Sequence, residues 1–171
     1  DETNWWSSRT GIKALLGGLL NGCLTWLRGE ELRPSYDPDP ACLLYERCHL
    51  IDEVLRDLWT ELRLPDAMAL CAVGGYGRGE LWPGSDIDLL ILLPDAPDTE
   101  RAEQLEQLVG LFWDIGLEIG HSVRTVEECL QEADGDLTVQ TALVEARLIV
   151  GNYPLFSRMV DEFKKHLDPQ T

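Results

Sequence analysis

The chain has 171 residues, of which 44% are hydrophobic, so it can bury one proper core but not two large ones. Its formal net charge is -17, from 14 basic and 31 acidic side chains, and its arginines are scattered singly along the sequence. A surface of this kind repels a polyphosphate backbone. The composition therefore argues against a nucleic-acid partner and favours one compact unit in which any phosphate-binding site is small and local.

The cysteine pattern and the N-terminus indicate where the protein resides. The five cysteines form no Cys-x-x-Cys pair and no histidine lies at zinc-ligand spacing, which favours reduced thiols. The longest apolar run, residues 89–93, has the length of a strand, and no signal-peptide pattern precedes it. We expect a cytoplasmic protein without a membrane segment. Because the chain starts at Asp1 without a methionine, we also expect it to be part of a longer polypeptide.

Two helices are predicted before the first strand. Apolar residues recur at helical spacing over residues 12–27 and again over residues 41–62, with a proline-rich break between them. Pro65 ends the second pattern. A short apolar run over residues 68–73 then predicts a buried strand that stops at two glycines.

The middle of the chain predicts short alternating elements. Residues 76–82 have room for only a short helix before a Pro-Gly-Ser turn, and residues 86–93 are apolar almost throughout, which is typical of a central strand. Residues 100–113 have the spacing of an amphipathic helix, and residues 117–124 return to extended structure. This order predicts a mixed α/β fold.

The C-terminal third is predicted to be helical. Thr125 and Glu128 match a capping box, which starts a short helix. Asp136 can cap a further helix over residues 137–150, and a last helix is predicted over residues 153–166. We therefore divide the chain into N-terminal helices at residues 1–64, a core with a small mixed sheet at 65–135 and a C-terminal helical segment at 136–171.

The most informative stretch is the glycine-rich segment at residues 73–90. A dinucleotide-binding turn needs its third glycine three positions after the second, whereas Gly75, Gly77 and Gly79 alternate. A Walker-type loop ends in Gly-Lys-Ser or Gly-Lys-Thr, and this segment contains no lysine. Both of these nucleotide-binding motifs are excluded.

A third interpretation starts from two carboxylates. Asp86 and Asp88 are two residues apart in a predicted strand, so both side chains leave the same face. Two anions this close attract a cation, and magnesium binds one or two carboxylates while it keeps waters and substrate phosphate oxygens as its other ligands. Upstream, Gly74 and Gly75 allow backbone amides to approach a phosphate closely. The segment therefore predicts a metal-dependent nucleotide site.

The same residues resemble a known signature. A hydrophobic residue, Gly-Gly, ten residues and then Asp-hydrophobic-Asp is similar to the pattern of the polymerase-β-type nucleotidyltransferase superfamily. More narrowly, residues 74–90 resemble the family of bifunctional uridylyltransferase and uridylyl-removing enzymes that act on the PII signalling protein. The similarity extends to residues 116–125 and 143–147, so most of the chain looks like the first domain of that family.

The resemblance implies the polymerase-β-type fold and a two-metal in-line reaction. A tyrosine hydroxyl of PII would attack the α-phosphorus of UTP, and pyrophosphate would leave. Asp86 and Asp88 would hold magnesium, with manganese as the alternative ion. Glu118 would be the third metal-binding carboxylate, with Asp114 as the fallback.

The resemblance also implies a set of nucleotide-binding residues. Gly74, Gly75 and Ser85 would contact the triphosphate, although a serine before a strand more commonly serves the turn itself. Arg78 and Arg124 would contact phosphate, and for each of them an ion pair with a nearby acid is the alternative.

Other functions are left open by the residues. An adenylyltransferase of the type that modifies glutamine synthetase shares the glycine-rich turn and the paired acids but uses ATP. A catalytically silent nucleotide-binding or interaction domain is a second alternative. The family's uridylyl-removing activity belongs to a hydrolase domain with a His-Asp pair, and no His-Asp dipeptide occurs here, so we do not expect removal activity in this chain. The hydrolase and glutamine-sensing domains of the family are expected elsewhere in a longer protein.

Overall fold

A computed structural model describes residues 39–115 and 118–168 of the chain. The helices within these ranges are α1 (Pro40–Glu61), α2 (Gly74–Gly77), α3 (Thr99–Ile115), α4 (Val126–Gly135), α5 (Leu137–Val144) and α6 (Tyr153–Leu167). The strands within them are β1 (Ala69–Ala72), β2 (Ile87–Leu93), β3 (Ile119–Thr125) and β4 (Arg147–Gly151). The helix predicted over residues 12–27 lies outside the described residues.

The four strands form one mixed sheet in the order β3-β2-β1-β4. Strand β1 is antiparallel to both β2 and β4, whereas β2 and β3 are parallel. Parallel neighbours need a crossover connection, which α3 supplies between them. The predicted mixed α/β fold is confirmed.

The two central strands of the sheet, β1 and β2, are buried on both faces. Strand β1 is buried along its whole length, and β2 is buried except at Asp88. One face of the sheet packs against α4, α5 and α6 in a core made of Ala69, Cys71, Val73, Leu90, Leu92, Val126, Cys129, Ala133, Leu143, Leu155, Met159 and Phe163. The alternate residues Leu70 and Ile91 point to the other face and are also fully buried. Asp88 is therefore the point at which β2 reaches solvent.

Several predicted boundaries and caps are confirmed. The helix expected over residues 41–62 is α1, and the capping box at the start of α4 is formed. The hydroxyl of Thr125 accepts the Glu128 backbone N–H at 3.3 Å, while the Glu128 carboxylate accepts the Thr125 N–H at 2.8 Å. The last helix, expected over residues 153–166, is α6; its cap, Asn152, was not predicted, and the Asn152 side chain accepts the N–H of Leu155 at 2.8 Å.

The short helix after β1 begins earlier than predicted. It spans Gly74–Gly77, so the expected helix over residues 76–82 was wrong for its later part. Gly79 has a φ of +80°, and its N–H donates to Tyr76 while the N–H of Glu80 donates to Gly75. These are the two bonds of a Schellman motif, which ends a helix at a left-handed glycine. Local turn geometry thus stops α2 after one turn.

The predicted helix over residues 137–150 was wrong in its second half. Helix α5 ends at Val144, and β4 pairs with β1. Gly151 has a φ of +104°, and a Cβ on it would lie 2.3 Å from the Met68 carbonyl oxygen. The C-terminal segment at 136–171 is therefore not only helical, because it supplies a strand to the sheet. The described residues from Pro40 onward belong to one compact unit, and the boundaries after residues 64 and 135 stay predictions.

Candidate functional site

The glycine-rich turn lies directly against the acid-bearing strand. Gly74 begins α2 with a φ of +59°, and a Cβ built on it would lie 3.5 Å from Asp88 Oδ2. The N–H of Val73 donates to the Asp88 carbonyl at 3.1 Å. A left-handed backbone favours glycine, whereas a Cβ at this distance from the carboxylate would make only an ordinary van der Waals contact. The backbone conformation is therefore the reason that glycine fits position 74.

The two predicted metal-binding acids are exposed at the start of β2. Asp86 precedes the strand and Asp88 is its second residue. Burial of part of the Asp88 carboxyl, together with the charge of Asp86, raises the pKa of Asp88 above its ordinary value. A cation at these oxygen atoms would relieve both effects, and two carboxylates are a donor set that magnesium accepts. The residues present fit the divalent ion that the resemblance implies.

A glycine that sequence reasoning missed adjoins the same carboxylate. Asp88 is in register with Gly120 on the parallel strand β3. A Cβ on Gly120 would lie 2.8 Å from Asp88 Oδ1, closer than side chains tolerate. Glycine at this position therefore leaves the space that the Asp88 carboxylate occupies. The sequence signal was the alternation with Glu118, which places Gly120 on the acid-bearing face.

Glu118 lies near the acids but its metal role stays a prediction. Its carbonyl accepts the N–H of Ile87 at 2.8 Å, so its backbone lies beside the start of β2, and its side chain is exposed. Within residues 39–115 and 118–168, no group of three or more His, Cys, Asp or Glu side chains is close enough to hold a metal ion. The fallback, Asp114, is exposed in the last turn of α3.

Ser85 closes the turn that leads into the acid pair. Its N–H donates to the Trp82 carbonyl at 3.0 Å, and Gly84 between them has a φ of +78°. Proline followed by a left-handed glycine is typical of a type II turn. The exposed turn delivers Asp86 to the start of β2, and the contact of the Ser85 hydroxyl with phosphate stays a prediction.

Arg78 is engaged by two carboxylates. Its Nη1 lies 2.6 Å from a Glu145 oxygen, and its Nε donates to Glu80 at 3.1 Å. The guanidinium is also next to the turn, since a Cβ on Gly75 would lie 3.6 Å from Arg78 Nη2. These ion pairs favour the alternative in which Arg78 braces neighbouring acids, and phosphate contact by this side chain stays a prediction.

Arg124 lies at the opposite end of β3 from the acid pair. It is in register with Leu92, and its Nη2 is 3.6 Å from a Glu132 oxygen on α4. It lies four positions further along the strand than Gly120, which corresponds to roughly 13 Å. Arg124 lines an open groove of about 620 Å³ with Val123, Glu128, Gln131, Glu132, Gly135 and Asp136. Its contact with nucleotide stays a prediction.

A buried polar cluster behind the turn was not foreseen. Asp52 on α1 is only 6% exposed, although it lies on the apolar stripe of that helix. It accepts the Tyr76 hydroxyl at 2.5 Å and two guanidinium nitrogens of Arg147 at 2.6 and 3.2 Å. Burial, followed by the charge of Asp52, raises the pKa of Tyr76 far above its ordinary value. An acid at a core-facing position of α1 was the available sequence signal.

The comparison with protein families agrees with this geometry. The family described as nucleotidyltransferase domain matches residues 51–149, which is more than half of the chain and includes the turn, the acid pair and Gly120. The chain belongs to the nucleotidyltransferase domain family. The matched range also contains Asp52 and Arg147, so the buried cluster lies within the family's domain.

Curated relatives narrow the similarity. The chain is 53% identical to a bifunctional uridylyltransferase/uridylyl-removing enzyme of Nitrosospira multiformis, over 82% of this chain and 17% of that protein. It is 52% identical to enzymes of the same name in Burkholderia mallei and Burkholderia pseudomallei, over 74% of this chain and 15% of theirs. The chain thus spans about a sixth of the length of these relatives.

Two further observations concern a solved structure and the lengths of the helices. A solved toxin-antitoxin structure with AMP-PNP shares 16% identity at a TM-score of 0.43, over 70% of this chain and 90% of that one. In the part of the chain that the structure describes, no helix has the length and apolar character to cross a membrane.

Proposed function

We propose that this chain transfers UMP from UTP to a tyrosine of the PII signalling protein in the cytoplasm and releases pyrophosphate. The observation that carries the proposal is the Asp86–Asp88 pair at the exposed start of β2, with Gly74 and Gly120 packed around Asp88. The names and identities of the relatives support the choice of UTP and of a uridylyl group.

The reaction makes one bond and breaks one. The tyrosine oxygen bonds to the α-phosphorus of UTP, the bond from that phosphorus to its bridging oxygen breaks, and pyrophosphate leaves with the electron pair. The tyrosine proton is lost to solvent. Bound magnesium or manganese would supply charge neutralisation at the phosphate oxygens and activation of the acceptor oxygen.

The residues of this chain have positioning and electrostatic roles in the proposal. Asp86 and Asp88 hold the divalent ions, and Glu118 is the candidate for the third ligand. Gly74 and Gly75 present backbone to the triphosphate, and Ser85 contacts it from the turn before β2. Arg78 and Arg124 are secondary candidates for contact with the nucleotide, because each of them already forms an ion pair with a carboxylate.

The longer protein would carry the remaining activities of the family. Because the chain spans about a sixth of its relatives, hydrolase and glutamine-sensing domains are proposed to lie in other parts of such a protein. Uridylyl removal is not proposed for this chain. The partners proposed for the chain itself are UTP and PII, without nucleic acid or membrane.

The test is a calorimetric titration of UTP, ATP, GTP and CTP into the chain, with and without magnesium. We expect magnesium-dependent binding that is selective for UTP and lost in an Asp86→Asn/Asp88→Asn variant. A matched control is Asp57→Asn/Glu61→Gln, which removes two exposed carboxylates of α1 and makes the same change in net charge. The control should bind UTP like the wild type.

Each of the other outcomes identifies an alternative. Preference for ATP would replace the proposal by an adenylyltransferase. Absence of binding by the folded chain would favour a silent interaction domain. Equal loss of binding in the control variant would show that general charge, rather than the acid pair, is responsible.

A further inference from the structure

The buried cluster behind the turn connects three elements of the fold. Asp52 on α1 receives the hydroxyl of Tyr76 on α2 and the guanidinium of Arg147 on β4. Arg56 on α1 lies 3.6 Å from Asp52, and its Nε donates to the Ile149 carbonyl at 3.0 Å. The cluster therefore links the glycine-rich turn to a helix and a strand that are distant in sequence.

The Arg147 side chain contacts both the backbone and the side chain of Tyr76 in the turn. Its Nη2 donates to the Tyr76 carbonyl at 3.4 Å, and its guanidinium lies 5.4 Å from the centroid of the Tyr76 ring. Two residues earlier, the Glu145 carbonyl lies so close to the turn that a Cβ on Gly77 would be 2.1 Å from it. The connection between α5 and β4 is thus packed tightly against α2.

A buried carboxylate of this kind is a costly way to gain stability. Desolvation of an ion pair often cancels its attraction, and apolar residues of similar volume frequently serve stability as well. Charge-assisted hydrogen bonds are directional, however, and a fully paired network defines one geometry. The geometry defined here is that of Tyr76, three residues after Val73, and the N–H of Val73 donates to the Asp88 carbonyl at 3.1 Å.

We propose that Asp52 and Arg147 are positioning residues which, through Tyr76, hold the Gly74–Gly75 turn in register with Asp88 for binding of the nucleoside triphosphate. The proposal rests on the proposed function, because it assigns the turn to the triphosphate. Neither residue touches the nucleotide. Their effect is on the placement of the turn, and the cation site at Asp86 and Asp88 does not depend on them.

The test compares nucleotide binding with binding of the metal alone. Tyr76→Phe keeps the ring and removes the hydroxyl, and Arg147→Lys keeps the charge but loses the paired nitrogens. We expect Tyr76→Phe to raise the Kd for UTP and magnesium about tenfold, as loss of one charge-assisted hydrogen bond would. We expect Arg147→Lys to raise it at least as much. The Kd for manganese alone should stay within about twofold of the wild type, because the acid pair is unchanged.

Two further variants separate positioning from general stability. Asp52→Asn should reproduce the weakened UTP binding, and circular dichroism confirms that each variant is folded at the temperature of the titration. Arg158→Gln removes the exposed ion pairs with Glu127 and Glu162 and should leave UTP binding unchanged.

The outcomes distinguish the inference from the function on which it rests. Folded Tyr76→Phe and Arg147→Lys variants that bind UTP like the wild type would overturn the positioning role while the proposed function stands. A parallel loss of manganese binding would also overturn it, because the acid site itself would then have been disturbed. A wild-type chain that binds manganese but no UTP would overturn the proposed function instead.

Discussion

Asp88 and Asp52 are the same type of residue in opposite surroundings. Asp52 is buried and is paired with a tyrosine hydroxyl and a guanidinium. Asp88 is exposed at the start of β2, beside the like charge of Asp86, and its pKa is raised by the partial burial of its carboxyl and by that charge. The Asp52 carboxylate has hydrogen-bond partners within the fold. The Asp88 carboxylate is repelled by Asp86, and a bound cation would offset that repulsion.

The contrast separates a structural role, at the buried Asp52, from a proposed role in ligand binding, at the exposed Asp88. A carboxylate with several directional partners behaves as a fixed structural element, and removal of one partner leaves an uncompensated buried charge. Carboxylates held close together at a surface cost stability, which is common at functional sites. Variants at Asp88 should therefore act mainly on activity, whereas variants at Asp52 should lower stability and, through the turn, also weaken nucleotide binding.

The largest expected effect is on activity at Asp88. Asp88→Asn should lower kcat/KM for the proposed UMP transfer to PII by about 10³-fold, because the charge neutralisation that bound metal would supply is worth several kcal/mol. The free energy of unfolding should not fall, since the variant removes the repulsion from Asp86. Steady-state kinetics and urea unfolding measure the two quantities, with Asp57→Asn as the control. Activity within threefold of the wild type would remove Asp88 from the site.

The next effect is on stability at the buried aspartate. Asp52→Ala should lower the free energy of unfolding by about 3 kcal/mol, because it leaves the Arg147 guanidinium without its carboxylate. Urea denaturation monitored by circular dichroism measures the change. Asp57→Ala, on the exposed side of the same helix, should change it by about 0.5 kcal/mol or less. A similar small value for Asp52→Ala would contradict the structural role.

A smaller effect is expected from the glycine beside the acid. Gly120→Ala places a methyl group 2.8 Å from Asp88 Oδ1, so the carboxylate must shift. Displacement of this proposed metal ligand should lower kcat/KM by about tenfold, equivalent to about 1.4 kcal/mol of transition-state stabilisation. Gly135→Ala is the matched control, since a Cβ there meets no atom within 4 Å. Unchanged activity of Gly120→Ala would show that the carboxylate has room to move.

The smallest effect is on the pH dependence of stability without metal. The folded-state pKa of Asp88 is raised, so the folded chain binds more protons than the unfolded chain in that range. The stability contribution of Asp88 should therefore fall as pH rises from the ordinary carboxyl pKa of about 4 to the raised value. The difference between the urea unfolding midpoints of the wild type and Asp88→Asn, measured from pH 3 to 7, reports this contribution. A difference that grows in favour of the wild type as pH rises would contradict the sign.

Much of the geometry of the candidate site was predictable because it is local in sequence. The spacing of Asp86 and Asp88 places both side chains on one face of any strand. The glycines before them predict a tight turn, because glycine adopts backbone conformations that other residues avoid. The strands at 68–73 and 86–93 were recognisable from their apolar runs. Even the capping box of Thr125 and Glu128 needed only its own four residues.

Contacts between distant segments were decided by the tertiary structure. Strand β4 was predicted as helix because residues 137–150 are apolar enough for either, and pairing with β1 settles the choice only once both are assembled. Asp52 and Arg147 are 95 positions apart, and no spacing rule connects them. Gly120 meets Asp88 through the parallel register of β2 and β3. The sequence by itself determined the type of chemistry, because the acid pair and the glycine-rich turn are neighbours along the chain. Packing decided which distant residues hold the turn and the acid pair in place.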